Sequence, residues 1–203
     1  IGDLDSKDIQ IEFKGLIVRD TNQYNTDLEK ALGWAVMNNV KRLTILGATG
    51  LREDMTLANH YILFDYYDKI EIKMITDYHT ISCHKGKQSF HSSPGKNISL
   101  FVKDYDTTVS TINLKYSLNK SLLDPSSRAI SNESLTDNFE VDSSGPILVF
   151  KDHLEIQNSE SQIQFSNITH DCNILAFTKV EDDQLKVFFY HTDEFKFNSP
   201  YEP

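Results

Sequence analysis

Leu43-Thr44-Ile45-Leu46 runs without a break into Gly47-Ala48-Thr49-Gly50 and then Leu51-Arg52-Glu53-Asp54. The first four residues, aliphatic or β-branched, predict a short strand. The two glycines predict a tight turn whose backbone can approach a ligand closely. From about Asp54 to Tyr66 the residues Leu57, Tyr61 and Phe64 recur at helical spacing, so a helix follows, and a strand from Ile70 to Ile75 ends near Asp77. Upstream, Asn25 or Thr26 is a helix cap. Asp27 and Glu29 favour the positive end of the helix dipole, and Leu28, Ala31, Leu32, Ala35 and Val36 make one apolar stripe. Ile1-Gly2-Asp3-Leu4-Asp5 reads as the end of a buried strand, so that more sequence is expected upstream. Strand, helix, strand, helix, strand is the pattern of an α/β unit with a largely parallel sheet, assigned here to residues 1–77.

From Tyr78 the texture changes. Short β-type runs recur between polar turns, at 79–84, 88–91, 98–102, 109–114, 139–141 and 147–150, punctuated by Pro94-Gly95 and Ser144-Gly145-Pro146. Regular short strands without helices predict an antiparallel β-sandwich over 78–203. Within it, 153–203 is an atypical β extension, and 173–179 and 185–190 flank the polar turn Glu181-Asp182-Asp183-Gln184 as a hairpin.

Composition narrows the function classes. The chain has 203 residues, 39% hydrophobic and 25% charged, with a net charge of −10. That field repels the nucleic-acid backbone, and no apolar run approaches the ~20 residues of a membrane helix. A phosphate ligand stays open, because magnesium can carry the compensating charge. Cys83 and Cys172, far apart in sequence, do not suggest a disulfide framework and fit a reducing, cytoplasmic setting. His79, His84 and His91 match no usual zinc spacing and read as solvated or capping histidines on strands. Phe188-Phe189-Tyr190 reads as strand core and Glu181-Asp182-Asp183 as a solvated turn.

Three segments carry chemistry. In an extended Gly2-Asp3-Leu4-Asp5-Ser6, Asp3 and Asp5 point the same way and can present both carboxylates to metal, and Ser6 offers a hydroxyl to a phosphate. Asp20 to Asp27 leads into a helix N-terminus, where phosphate or metal can sit. In the Gly47–Asp54 turn, Arg52 can neutralise phosphate charge and Asp54 can bind metal or substrate. Each alone also reads as an ordinary Asp-rich turn, an N-cap, or a tight turn with a surface arginine. Asp3-Leu4-Asp5 alone would equally suit a nucleotide-sugar transferase, which leaves Asp27, Arg52 and Asp54 idle. Placement favours a joint site, because all three lie at the carboxyl ends of expected strands.

Together these residues resemble the thiamine pyrophosphokinase family. That family carries a G-D-x-D-S box, a D-Q-x-x-T-D segment before a helix, a G-x-x-G-x-R-x-D-H turn and a later S-N-E. Here they stand as Gly2-Asp3-Leu4-Asp5-Ser6, then Gln23 with Thr26-Asp27 and Lys30, then Gly47, Gly50, Arg52 and Asp54 with Asn59. Leu114-Lys115-Tyr116-Ser117-Leu118 and Ser131-Asn132-Glu133 follow, with order and spacing agreeing over residues 1 to about 152. The resemblance implies an α/β catalytic domain followed by a β-sandwich that forms a homodimer. It implies attack of the thiamine hydroxyl on the β-phosphorus of magnesium-ATP, giving thiamine diphosphate and AMP. Asp3, Asp5 and Asp27 would hold magnesium, and Ser6, Gln23, Thr26 and Arg52 would hold phosphates. Asp54 would sit by the thiamine hydroxyl or pyrimidine, and Ser131 and Asn132 by the thiamine ring. The family has a strand and helix before its first box. Asn22 and Tyr24 stand where many relatives carry acids, and Met55 stands where the family has histidine. A non-catalytic thiamine- or nucleotide-binding sensor is the alternative.

Overall fold

The computed structural model describes residue 1 and residues 18–50, 52–153, 174–181 and 184–191. The elements run α1 (Asp27–Met37), β1 (Arg42–Leu46), α2 (Glu53–Tyr66), β2 (Glu71–Ile75), β3 (His79–His91), β4 (Asn97–Val102), β5 (Thr108–Ile112), β6 (Ser121–Leu122), β7 (Asn132–Glu133), β8 (Asn138–Asp152), β9 (Ile174–Glu181) and β10 (Gln184–His191).

Local sequence explains the first helix. The Thr26 hydroxyl accepts the Glu29 N–H at 3.2 Å, satisfying one of the unpaired donors of the first turn. Leu28, Ala31, Leu32 and Ala35 are buried, and Val36 packs partly buried against the same core. The second helix turns differently from expectation. Leu57 and Tyr61 are 59% and 48% exposed, and the sheet-facing side is Asn59, Ile62, Leu63 and Phe64. Both sets recur at helical spacing, so periodicity alone cannot choose between them.

The β1–α2–β2 unit makes β1 and β2 parallel, from Arg42↔Glu71 to Leu46↔Ile75, as a helical crossover requires. The sheet then changes character. Thr76 closes a tight reversal, its hydroxyl accepting the N–H of His79 at 3.0 Å, and β3 returns antiparallel to β2. A turn this short cannot make a parallel crossover, so β2 and β3 pair antiparallel. The long β8 pairs β3 along its length, with a shift between His84 and Gly86, and also pairs β4 and β5 with its two ends. The described strands together form a mixed, mainly antiparallel sheet, in which the parallel pairing expected of residues 1–77 is limited to the ladders flanking β1.

The second of those ladders comes from the far end of the chain. β9 and β10 form the expected hairpin, and β10 lies parallel to β1, from Leu43↔Leu185 to Leu46↔Phe188. The hairpin thus pairs with the α/β end of the sheet rather than with the strands between residues 78 and 152. Two cores result. One joins α1, α2, β1 and β2 through Leu32, Ile45, Leu63 and Met74. The other lies in the antiparallel region around Ile98, Val109, Phe139 and Val149. No described helix is long and apolar enough to cross a membrane.

Candidate functional site

The Asp20–Thr26 loop is built from two successive side-chain turns. The Asp20 carboxylate accepts the Asn22 N–H at 2.9 Å, and the Asn22 amide oxygen accepts the Tyr24 N–H at 2.8 Å. Such a turn needs only a side-chain oxygen, so Asn22 serves as well here as an acid would. Gln23 is exposed on this loop. At its end Thr26 is spent as the α1 cap, and Asp27, in the first turn, keeps 41% of its side chain exposed. Beneath it the buried Lys30 donates from Nζ to Asp27 Oδ1 at 3.0 Å. Asp3, Asp5 and Ser6 lie outside the described residues.

The turn after β1 carries the second group. Gly47 and Gly50 have φ of 68° and 111°, backbone that side chains disfavour, which is why the turn takes glycine twice. Asn59 on α2 is buried and donates to the Ala48 carbonyl at 2.8 Å, clamping the turn onto the helix. Arg52 and Asp54 pair with each other, Arg52 Nε reaching Asp54 Oδ1 at 3.0 Å, both more than half exposed. Asp54 also accepts the Met55 N–H at 2.9 Å. The Arg52 bond first, and that N–H second, hold its carboxyl below the usual carboxylate range. An incoming phosphate therefore competes with Asp54 for the guanidinium.

Ser131 and Asn132 sit on the antiparallel side. Ser131 is exposed at φ 56°, and its N–H donates to the Ser99 hydroxyl at 3.0 Å. Asn132 is buried, and its amide brackets Tyr116. Oδ1 accepts the Tyr116 N–H at 3.0 Å and Nδ2 donates to the Tyr116 carbonyl at 2.8 Å. Oδ1 also accepts the Glu133 N–H at 2.9 Å.

Register relates the two groups. Leu46, Ile75, Thr80, Lys151, Ile98 and Asn132 form one row of paired residues across the sheet. The strand ends followed by the Gly47–Asp54 turn and the Ser131–Asn132 pair thus share a rim. Five strand spacings of ~4.8 Å separate them, about 24 Å along the sheet.

That rim also carries residues the motifs did not flag. His79 lies 3.5 Å from the Asp152 carboxylate, and His153 Nε2 is 2.7 Å from the Thr76 carbonyl. His60 packs against Phe150 with ring centroids 5.4 Å apart, and burial, then the nearby His79, pull its pKa down. No sequence spacing signals this meeting of α2, β3 and β8. Among the described residues no group of three or more His, Cys, Asp or Glu could hold a metal. Asp27 supplies one hard oxygen ligand of the kind magnesium takes.

Residues 1–75 match the model of the thiamin pyrophosphokinase catalytic domain. No curated protein matches the chain. Several solved structures share its fold. The thiamine pyrophosphokinase of Bacillus subtilis is 24% identical over 66% of each chain, with a TM-score of 0.58. That of Geobacillus thermodenitrificans is 22% identical over 70% of this chain and 67% of its own, with a TM-score of 0.60. The thiamin pyrophosphokinase family protein of Enterococcus faecalis is 22% identical over 76% and 78%, with a TM-score of 0.63. The chain therefore spans about two thirds of the length of the Bacillus subtilis protein. Residues 1–75 are thus similar to the thiamin pyrophosphokinase catalytic domain, and the chain shares its fold with these solved structures.

Proposed function

We propose that the chain is a thiamine diphosphokinase, moving a pyrophosphoryl group from ATP to the hydroxyl of thiamine. The catalytic-domain match over residues 1–75 carries the reading. Asp27 opening α1, and Arg52 and Asp54 after β1, support it, because ligands of α/β sheets bind at such strand and helix ends. In the reaction the hydroxyl oxygen bonds to the β-phosphorus while the bond from that phosphorus to the α-phosphate oxygen breaks. AMP leaves, and the hydroxyl proton passes to solvent. Arg52, Gln23, Thr26 and Ser6 bind triphosphate oxygens, and Arg52 offsets charge on the leaving AMP. Asp54, kept ionised by Arg52, accepts a hydrogen bond from the thiamine hydroxyl and orients it. Asp27, with Asp3 and Asp5, would hold magnesium, which when bound neutralises and aligns the triphosphate.

Ser131 and Asn132 lie by the thiamine ring in this reading. In this reading the chain forms a homodimer through its antiparallel half. Exposed Ile112, Tyr116, Leu122 and Leu135 on the antiparallel half support its use as the dimer face. A cytoplasmic setting suits Cys83, a free thiol whose pKa burial pushes up to about 12, leaving it inert.

The test is direct. Purified protein with thiamine, ATP and magnesium should release AMP and thiamine diphosphate in equal amounts. Thiamine binding with no AMP released would replace the enzyme by the sensor alternative.

A further inference from the structure

The sheet-facing side of α2 is apolar except at one place. Ile62, Leu63 and Phe64 are buried there, and Asn59 is buried with them at 5% exposure. An amide in such surroundings is favourable only while its hydrogen bonds are made, whereas an aliphatic side chain of similar size would pack with no such condition. Packing of the helix therefore does not explain this asparagine.

Its partner does. Nδ2 donates to the carbonyl of Ala48, eleven residues back in the chain, at 2.8 Å. Ala48 belongs to the core shared by α1, α2, β1 and β2, while Gly47 and Gly50 on either side of it are exposed and left-handed, at φ 68° and 111°. Glycine gives up more conformational freedom on folding than any other residue, so a turn with two of them needs an anchor. Among the described residues no backbone–backbone hydrogen bond joins residues 47–50 to one another or to α2. The packed Ala48 side chain and the Asn59 amide are what tie this turn to the helix. Arg52 caps that helix and Asp54 lies in its first turn, with Asn59 about one and a half turns further on. Holding Ala48 there sets the spacing between the end of β1 and the start of α2, and hence where Arg52 and Asp54 stand.

We propose that Asn59 is a positioning residue, whose buried amide holds the turn after β1 so that Arg52 and Asp54 meet the triphosphate and the thiamine hydroxyl in a set geometry. This rests on the roles given to Arg52 and Asp54 above. A misplacement of about 1 Å caused away from the chemistry can cost roughly 10²-fold in rate.

The experiment compares wild type with Asn59→Leu, which keeps the volume and removes the donor, and Asn59→Gln, which keeps the amide on a longer stem. Backbone amide relaxation by NMR reads the anchoring without any turnover, and AMP release at saturating ATP, magnesium and thiamine reads the positioning. In Asn59→Leu the order parameters of Gly47 and Gly50 should fall from about 0.85 to below roughly 0.6, with β1 and β2 unchanged. Its kcat should fall by about 10²-fold while KM for ATP and for thiamine stays within a few-fold, and Asn59→Gln should recover part of both losses. A wild-type kcat in Asn59→Leu overturns the proposal, and so does a lowered kcat with the turn as ordered as in wild type. Should Asn59→Leu not fold, the same two results in Asn59→Gln overturn it. If wild type releases no AMP, the function falls and this role with it. If wild type is active and the variants are equally active, only the role of Asn59 falls.

Discussion

The two halves of the sheet use polar residues in opposite ways. Around β1 the side chains to which chemistry is assigned in the proposal stand in the open on a packed base. Asp27, Arg52 and Asp54 are 41%, 56% and 66% exposed, above a core of Leu32, Ile45, Leu63 and Met74. In the antiparallel half the notable polar side chains are buried and their bonds go to backbone. Asn132 brackets Tyr116, the Thr111 hydroxyl accepts the Leu118 N–H at 2.9 Å, and Ser134 donates to the Thr136 carbonyl at 2.9 Å. The irregular stretch from 113 to 137 has little strand pairing of its own, so side chains must satisfy the backbone that the ladders do not reach. In the first half Asp27, Arg52 and Asp54 keep much of their side chains exposed, while Asn59 is buried on the Ala48 carbonyl. In the second half Asn132, which looks functional, is already holding the chain together.

Three substitutions test this contrast. Asp27→Asn keeps an oxygen for Lys30 but loses the charge, and should lower kcat by about 10²- to 10³-fold in an AMP-release assay with circular dichroism unchanged. Activity within a few-fold of wild type would remove Asp27 from the site. Asn132→Ala should do the reverse and act on stability. It leaves the N–H and carbonyl of Tyr116 unpaired, and urea denaturation should show a loss of about 3 kcal/mol. An unchanged midpoint with weaker thiamine binding would make Asn132 a ligand residue and erase the difference between the halves. The smallest effect is local. Arg52→Ala removes the main cause that lowers the Asp54 pKa, so the Asp54 carboxyl, followed by NMR, should titrate at higher pH than in wild type. The sign is set by the pair, since a lost cation destabilises the ionised carboxylate. No upward movement would mean that the pair does not persist in solution.

Much of the first half was legible because its signals are local. A hydroxyl three residues before a glutamate, an apolar stripe at helical period and glycines at left-handed positions are each decided within a few residues. The four motifs were legible for the same reason, as short patterns in fixed order. Helix α2 marks the limit. Leu57-Tyr61 and Asn59-Ile62-Leu63 are equally periodic, and the buried set was chosen by contact with the sheet, which let a buried Asn59 hold the Ala48 carbonyl. The role of Asn132 was hidden too, since Ser131-Asn132-Glu133 reads the same whether its amide meets a ligand or Tyr116.

By itself, then, the sequence determined the helix starts, the left-handed turn after β1, the hairpin at 174–191 and the family pattern. Each depends on neighbours in the chain. Tertiary structure alone decided that β10 pairs with β1, that Lys30 lies beneath Asp27, and that Arg52 closes on Asp54. It also decided that His60, His79 and Asp152 meet on one rim. The physical reason is that a strand edge or a buried charge is satisfied by whatever the whole fold brings beside it. No single segment carries that information.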